Sequence, residues 1–117
     1  MDIENLQGKL REFAAARDWE QYHNPKNLAM ALAVEAGELQ EIFQWLTPEE
    51  SLAIKDDSAH ATEEIADVFL YLVRIADVLD VDLEEAVSAK LAKNAAKYPA
   101  AGSGTPRSMR NPTQDRN

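Results

Sequence analysis

A chain of 117 residues, 45% of them hydrophobic, suffices for one domain with a modest core, and is small enough for self-association to add useful burial. Its net charge of −9 and pI near 4.6 set a repelling field against nucleic-acid polymers and anionic membranes, which excludes both as expected partners. Lack of cysteine removes disulfides, zinc–thiolate sites and thiol catalysis. The start Met1-Asp2-Ile3-Glu4-Asn5 has no apolar leader, and no run approaches the ~20 apolar residues of a membrane span, so a cytoplasmic protein is expected.

Asp2 is placed to cap a first helix in which Ile3, Leu6, Leu10, Phe13 and Arg17 recur at steps of three and four. The stretch from Trp19 to Asn27 breaks that period, and Pro25 disfavours helix at Asn24, so an aromatic loop is predicted. It reads either as a docking surface for a flat ligand or as a lid in which Trp19 and Tyr22 close the end of the core. Asn27 is then expected to cap a second helix with the stripe Leu28, Leu32, Glu35, Leu39, Ile42, Leu46. Glu35 takes a core position in that stripe, and Glu38 is its neighbour about one turn on. Gly37 costs about 1 kcal/mol relative to Ala mid-helix, which predicts a close approach by another helix or a ligand. Trp45, near the helix end, is offset so that its ring can overhang the acidic pair.

Thr47-Pro48-Glu49-Glu50 has the pattern of a capping box with Pro at the first helical position, opening a short helix that runs to Ile54. After a polar turn, Ser58 is expected to cap a third long helix with Ile65, Phe69, Leu72, Ala76 and Leu79 as its packing face. His60, Glu64, Asp67 and Tyr71 share an adjoining face. Asp82 opens the last helix, expected to bury Leu83, Val87, Leu91 and Tyr98 and to present Lys90, Lys93, Asn94 and Lys97 on its other side. There is no internal repeat and no strand signal. The expected fold is all-α and four-helix-bundle-like, with a short extra helix between the second and third; residues 1–98 form the domain and residues 99–117 a disordered tail.

Glu49, Glu50, Glu84 and Glu85 lie in helix first turns, where negative charge is favoured. Glu35 and Glu38 differ, being mid-helix beside Leu39 and Ile42, and Glu64 and Asp67 repeat the arrangement. Four carboxylates from two facing helices make an all-oxygen site suited to Mg²⁺ or Mn²⁺, ions that commonly complete their coordination with phosphate oxygens. A bound cation would invert the local charge and let so acidic a protein hold an anionic ligand. The other reading is a buried salt-bridge network using Arg74 or Lys90. A carboxylate-bridged di-iron centre needs Glu-x-x-His on two helices, and only Asp57-x-x-His60 comes near.

Glu35-x-x-Glu38, a spacer of twenty-five residues, and Glu64-x-x-Asp67 together resemble the motif of the MazG-like all-α nucleoside triphosphate pyrophosphohydrolases. Phe13-Ala-Ala-Ala-Arg17-Asp18-Trp19-Glu20, His23-x-Pro25-Lys26-Asn27-Leu28, Phe43-Gln-Trp45 and Lys97-Tyr98-Pro99 resemble the dCTP pyrophosphatase branch, over roughly residues 6–99. The resemblance implies that Glu35, Glu38, Glu64 and Asp67 are Mg²⁺ ligands and that Trp19 and Trp45 sandwich the base. It further implies that Tyr71 and Asn94 help hold sugar and base, and that Lys90 and Lys97 contact the triphosphate. The implied reaction splits a (d)NTP, with dCTP or a modified dCTP favoured, into monophosphate and pyrophosphate as nucleotide-pool house-cleaning. Glu35 and Glu38 are the implied catalytic carboxylates, Glu38 accepting the proton of the attacking water. Nine residues before Trp19 the branch often carries His, and here Leu10 stands there, a departure at the base rather than at the chemistry. The alternatives are a broad or dUTP-preferring MazG-like NTPase, and a non-catalytic metal-stabilised interaction module. A homo-oligomer, dimer or tetramer, is also implied.

Overall fold

The computed structural model describes residues 1–100; residues 101–117, which hold nearly all of the expected disordered tail, lie outside the described residues. Five α-helices follow in order: α1 (Ile3–Ala16), α2 (Pro25–Phe43), α3 (Pro48–Ala53), α4 (Ala59–Val78) and α5 (Leu83–Lys97). Two 3-10 turns, Glu20–Tyr22 and Ile54–Asp57, complete the secondary structure of the described residues, which contain no strand, so the fold class is all-α. None of these helices is long and apolar enough to cross a membrane. The chain divides into two compact units, Met1–Val81 and a second beginning at Asp82.

The helix starts follow from side chains that satisfy orphan N–H groups. Asp2, Thr47 and Asp82 accept from the backbone N–H three residues on, and at Thr47 the Glu50 carboxylate returns the bond, closing the capping box. Two expected caps need correction. The cap of α2 is Asn24 rather than Asn27: its Oδ1 accepts from the Asn27 N–H at 2.9 Å. Pro25 takes the first helical position, where a missing N–H costs nothing, and the extended backbone it imposes on Asn24 is what a capping residue needs. Ser58 does precede α4, but its hydroxyl makes no capping bond.

α1 and α4 end alike. Asp18 and Asp80 adopt left-handed φ angles of 56° and 55°. Behind them the Trp19 N–H reaches Ala14 O (2.9 Å) and the Val81 N–H reaches Ala76 O (2.8 Å), while Asp18 and Asp80 bond Ala15 O and Asp77 O. These are Schellman closures, with Asp where glycine is commonest. The closure of α1 brings Trp19 back against Phe13, ring centroids 5.6 Å apart and edge to face.

In the first unit the most extensive packing joins α2 to α4, with α1 also against α4. Its buried residues are Ala14, Leu28, Ala61, Val73 and Ala76, together with the charged Glu64. Leu32, Glu35, Leu39, Ile42 and Leu46 are half-buried, so the stripe of α2 packs as the period predicts. The face expected for α4 does not: Ile65, Leu72 and Leu79 are 57%, 45% and 53% exposed, and only Ala76 of the predicted set is buried. α4 is apolar on more than one side, and it packs through the side bearing its small residues, where helix axes can approach closely. The close approach expected at Gly37 is also absent, since a Cβ there would meet nothing within 4 Å. In the second unit, α5 leaves Val87 and Leu91 exposed, contrary to expectation, with Leu83 and Tyr98 half-buried.

Candidate active site

The contact of α2 with α4 places carboxylates against one another. One oxygen each from Glu35, Glu64 and Asp67 lie within 4.8 Å of one another. Glu35 comes from the packing stripe of α2, and Glu64 and Asp67 from adjacent turns of α4, so burial of the stripe is what drives the acids together. Glu64 is only 8% exposed, and Oε2 of Glu35 and Oε2 of Glu64 are buried with no hydrogen-bond partner. Two buried acceptors lacking a donor are costly unless a cation or proton fills the gap.

The protein's response to that repulsion is visible at Glu35. Burial first, then the close approach of the Glu64 carboxylate and the charges of Glu38 and Asp67, raise its pKa from an ordinary 4.5 to about 7. Glu38 also lines an open cavity of about 510 Å³ with Glu41, Ile42 and His60. The His60 imidazole lies 3.5 Å from Glu64 Oε1, but at 71% exposure it leaves the inner oxygens uncompensated. Arg74, offered as a salt-bridge partner for the acids, instead pairs with Asp77 at 3.2 Å. The donor set fits a hard divalent cation: all oxygen, anionic, on two rigid helices, with unsatisfied lone pairs facing inward.

Beside the cluster lies a second cavity, of about 180 Å³, lined by Leu10, Phe13, Trp19, His23, Asp67, Leu70, Tyr71 and Arg74. It is largely apolar, with the rings of Phe13, Trp19 and Tyr71 in its lining, and Asp67 belongs both to it and to the carboxylate cluster. Through Asp67 the cavity is therefore continuous with the acidic cluster.

Residues 30–105 match the MazG-like family. The chain belongs to that family. It is 45% identical over 101 residues to dCTP pyrophosphatase 1 of Homo sapiens and 43% identical over 100 residues to that of Bos taurus, alignments that cover 84% and 83% of this chain. It spans 59% of the length of these curated relatives. The crystal structure of a pyrophosphatase from Archaeoglobus fulgidus superposes with a TM-score of 0.78 at 44% identity, covering 82% of this chain and 91% of that one.

Within this MazG-like chain the residues singled out from the sequence fall into three groups. Glu35, Glu64 and Asp67 converge, with Glu38 near enough for its charge to raise the pKa of Glu35. Trp19 and Tyr71 line the cavity adjoining them. Trp45 is 87% exposed in the turn after α2 and is not among the residues of that cavity. Lys90, Asn94 and Lys97 lie on α5 in the second unit, where Lys97 Nζ stands 5.4 Å from the Tyr98 ring centroid. The sequence reading assigned no role in this cavity to Phe13, Leu70 or Arg74, and left His23 as one member of an aromatic loop. Arg74 continues the three-and-four spacing of Glu64, Asp67 and Tyr71 along α4, and that is the signal that points to it.

Proposed function

We propose that this protein is a Mg²⁺-dependent nucleoside triphosphate pyrophosphohydrolase, with Mn²⁺ as a substitute ion, that converts a (d)NTP and water to (d)NMP and pyrophosphate. The preferred substrate is dCTP or a modified dCTP, and the role is cytoplasmic house-cleaning of the nucleotide pool. One observation carries the reading: three carboxylates from two packed helices with two buried, unpartnered oxygens, in a chain related to dCTP pyrophosphatase 1.

Glu35, Glu64 and Asp67, joined by Glu38, are the residues that hold the ion. A divalent ion there supplies charge neutralisation at the phosphates and makes water more acidic. Attack of water at the α-phosphorus forms one P–O bond and breaks that to the bridging oxygen, so pyrophosphate leaves. Glu38, outside the tight three-carboxylate cluster, accepts the proton of that water. Trp19 and Tyr71 take the base and sugar, a stacking contribution of ~1–3 kcal/mol per base in comparable sites. Trp45 of the first unit, and Lys90, Asn94 and Lys97 on α5 of the second, are the further residues proposed to contact substrate.

Homo-oligomerisation is part of the same proposal. The exposed apolar side of α4, Ile65, Phe69, Leu72 and Leu79, is the surface that a second copy would cover. Light scattering at micromolar concentration tests it, and a monomer counts against it. The activity is tested by incubating protein and Mg²⁺ with a panel of (d)NTPs, modified cytosines included, and separating products. Monophosphate and pyrophosphate are expected, with no turnover by Glu35→Gln. Failure of the wild type on every nucleotide refutes the enzyme.

A further inference from the structure

The turn between α1 and α2 bonds almost entirely to its own neighbours. The Asp18 and Trp19 N–H groups reach Ala15 O and Ala14 O, and those of Tyr22 and His23 reach Trp19 O and Glu20 O. Gln21 Nε2 donates to Asp18, and Asn27 Nδ2 to Tyr22 O. Among the described residues a single hydrogen bond carries this turn to α4: Arg74 Nε donates to His23 Nδ1 at 3.2 Å, across 51 residues of sequence. The donor is itself held in place. Arg74 Nη1 bonds Asp77 Oδ2 at 3.2 Å, and Arg11 of α1 grips Asp77 with Nε to Oδ2 at 2.7 Å and Nη2 to Oδ1 at 3.1 Å. The side chains of Arg74 and Asp77 are 11% and 16% exposed, so the anchor is an ordered interior pair.

A guanidinium has only donors, so the ring nitrogen that receives one must present a lone pair. An imidazolium has two N–H groups and no such lone pair. Protonation of His23 therefore sets donor against donor and positive charge against positive charge, while Arg74 is kept from turning away. Asp67 on α4 is the one carboxylate in the lining of the cavity that His23 shares, and Tyr71 is its phenol. Asp77 on α4 and Arg11 on α1 are paired behind Arg74, and Asp18, Glu20 and Lys26 are exposed on the turn and at the start of α2. Burial, and then the Arg74 charge, prevail and lower the pKa of His23 from its ordinary 6.5. The fold thus favours the neutral ring: its contribution is fully present above about pH 6.5 and is lost as the pH falls through the lower folded-state value.

We propose that His23 and Arg74 form an acid-released latch: neutral His23 accepts from Arg74 and holds the turn against α4, and protonated His23 lets the turn go. Trp19 precedes that turn and lines the cavity with His23, so release of the latch takes away part of one cavity wall. The device belongs to the free protein and does not depend on the function proposed above.

Amide hydrogen exchange followed by NMR, on the full chain in chelator and without nucleotide, tests the latch. After correction for the intrinsic pH dependence of exchange, protection at the Trp19, Tyr22 and His23 amides is expected to fall about tenfold or more from about pH 7.5 to about pH 5.5. That is the scale of one hydrogen bond to a charged group. The amides of α2 and α4 are expected to keep their protection, and the midpoint of the loss to coincide with the titration of the His23 ring read from its own resonances. His23→Asn, whose Oδ1 can accept from Arg74 at any pH, is expected to stay protected in acid, and Arg74→Met to show the low value at both pH values. Glu35 titrates in the same range, but its protonation stabilises the fold and so acts in the opposite direction. Wild-type protection indifferent to pH overturns the proposal, as does a midpoint apart from that of His23. So does an acid loss in His23→Asn equal to that of wild type, or one shared equally by α2 and α4, which is global unfolding. A folded Arg74→Met as protected as wild type at about pH 7.5 overturns it too; if that variant fails to fold, wild type and His23→Asn decide.

Discussion

Glu35→Gln separates what the carboxylate cluster does to stability from what it does for metal. In the metal-free protein, burial, the close approach of the Glu64 carboxylate and the charges of Glu38 and Asp67 raise the Glu35 pKa from 4.5 to about 7. A raised folded-state pKa means that the fold favours the protonated acid. Its contribution is therefore fully present below about pH 4.5 and is lost as the pH rises through about 7. Gln is close in size, stays neutral and can donate to a neighbouring carboxylate. Above about pH 7 it should stabilise the metal-free protein by about 1–3 kcal/mol, the usual cost of a buried polar group denied its partner. That corresponds to a rise of roughly 5–15 °C in Tm for a domain of this size. Near pH 4.5 the two proteins should differ by less than about 0.5 kcal/mol. Mg²⁺ should reverse the order, since a ligand at a hundred times its Kd adds roughly 2.7 kcal/mol to the wild type and less to a variant lacking one ligand. Thermal unfolding across this pH range, in chelator and in Mg²⁺, gives the four comparisons. A variant less stable than wild type in chelator above about pH 7, or a difference indifferent to pH, refutes the reasoning.

The same pKa sets the pH dependence of metal binding: affinity should fall by roughly tenfold per pH unit below about 7, where a proton must leave Glu35 first, and calorimetry in buffers of different ionisation enthalpy should register its release. Asp80→Gly should stabilise the protein by about 0.5–1 kcal/mol, because Asp80 holds a left-handed φ of 55° that glycine adopts without a Cβ penalty; a fall in the denaturant midpoint contradicts the assignment of strain there. Thr47→Ala removes an acceptor 3.1 Å from the Glu50 N–H and half of the capping box, and should cost about 1 kcal/mol without changing Mg²⁺ affinity.

Local chemistry made several elements legible. Asp2, Thr47 and Asp82 are caps because each places an oxygen three residues before an orphan N–H. Asn24 and Asn27 compete for the same role, and only the preference for Pro25 at the first helical position decides between them. The choice of face on α4 lies beyond periodicity. Ile65, Phe69 and Leu72 are larger than Ala61 and Val73 and far more apolar than Glu64, yet the latter three are buried and the former exposed. The carboxylate pairs were legible because charge in an apolar stripe is anomalous at any orientation of the helix. The link from Arg11 to Asp77 spans 66 residues and depends on how α1 lies on α4, which no local pattern encodes.

The buried side of α4 explains why one helix can organise the whole site. Glu64, Asp67, Tyr71 and Arg74 succeed one another at steps of three and four, so they lie along one line of the helix surface. With a rise of 1.5 Å per residue, the interval from Glu64 to Arg74 spans about 15 Å. Anionic oxygens occupy the N-terminal end of that line, an aromatic ring its middle and a fixed hydrogen-bonding link its C-terminal end. Asp67 joins the first part to the second, since it both converges with Glu35 and lines the cavity of Trp19. A ligand with a multiply charged end and a flat end, a nucleoside triphosphate in the function proposed here, meets that order without bending away from the helix. The sacrifice is visible in the fold: Glu64 takes a position where an apolar residue would pack, and the larger side chains Ile65 and Leu72 are left on the outer face for another surface to cover.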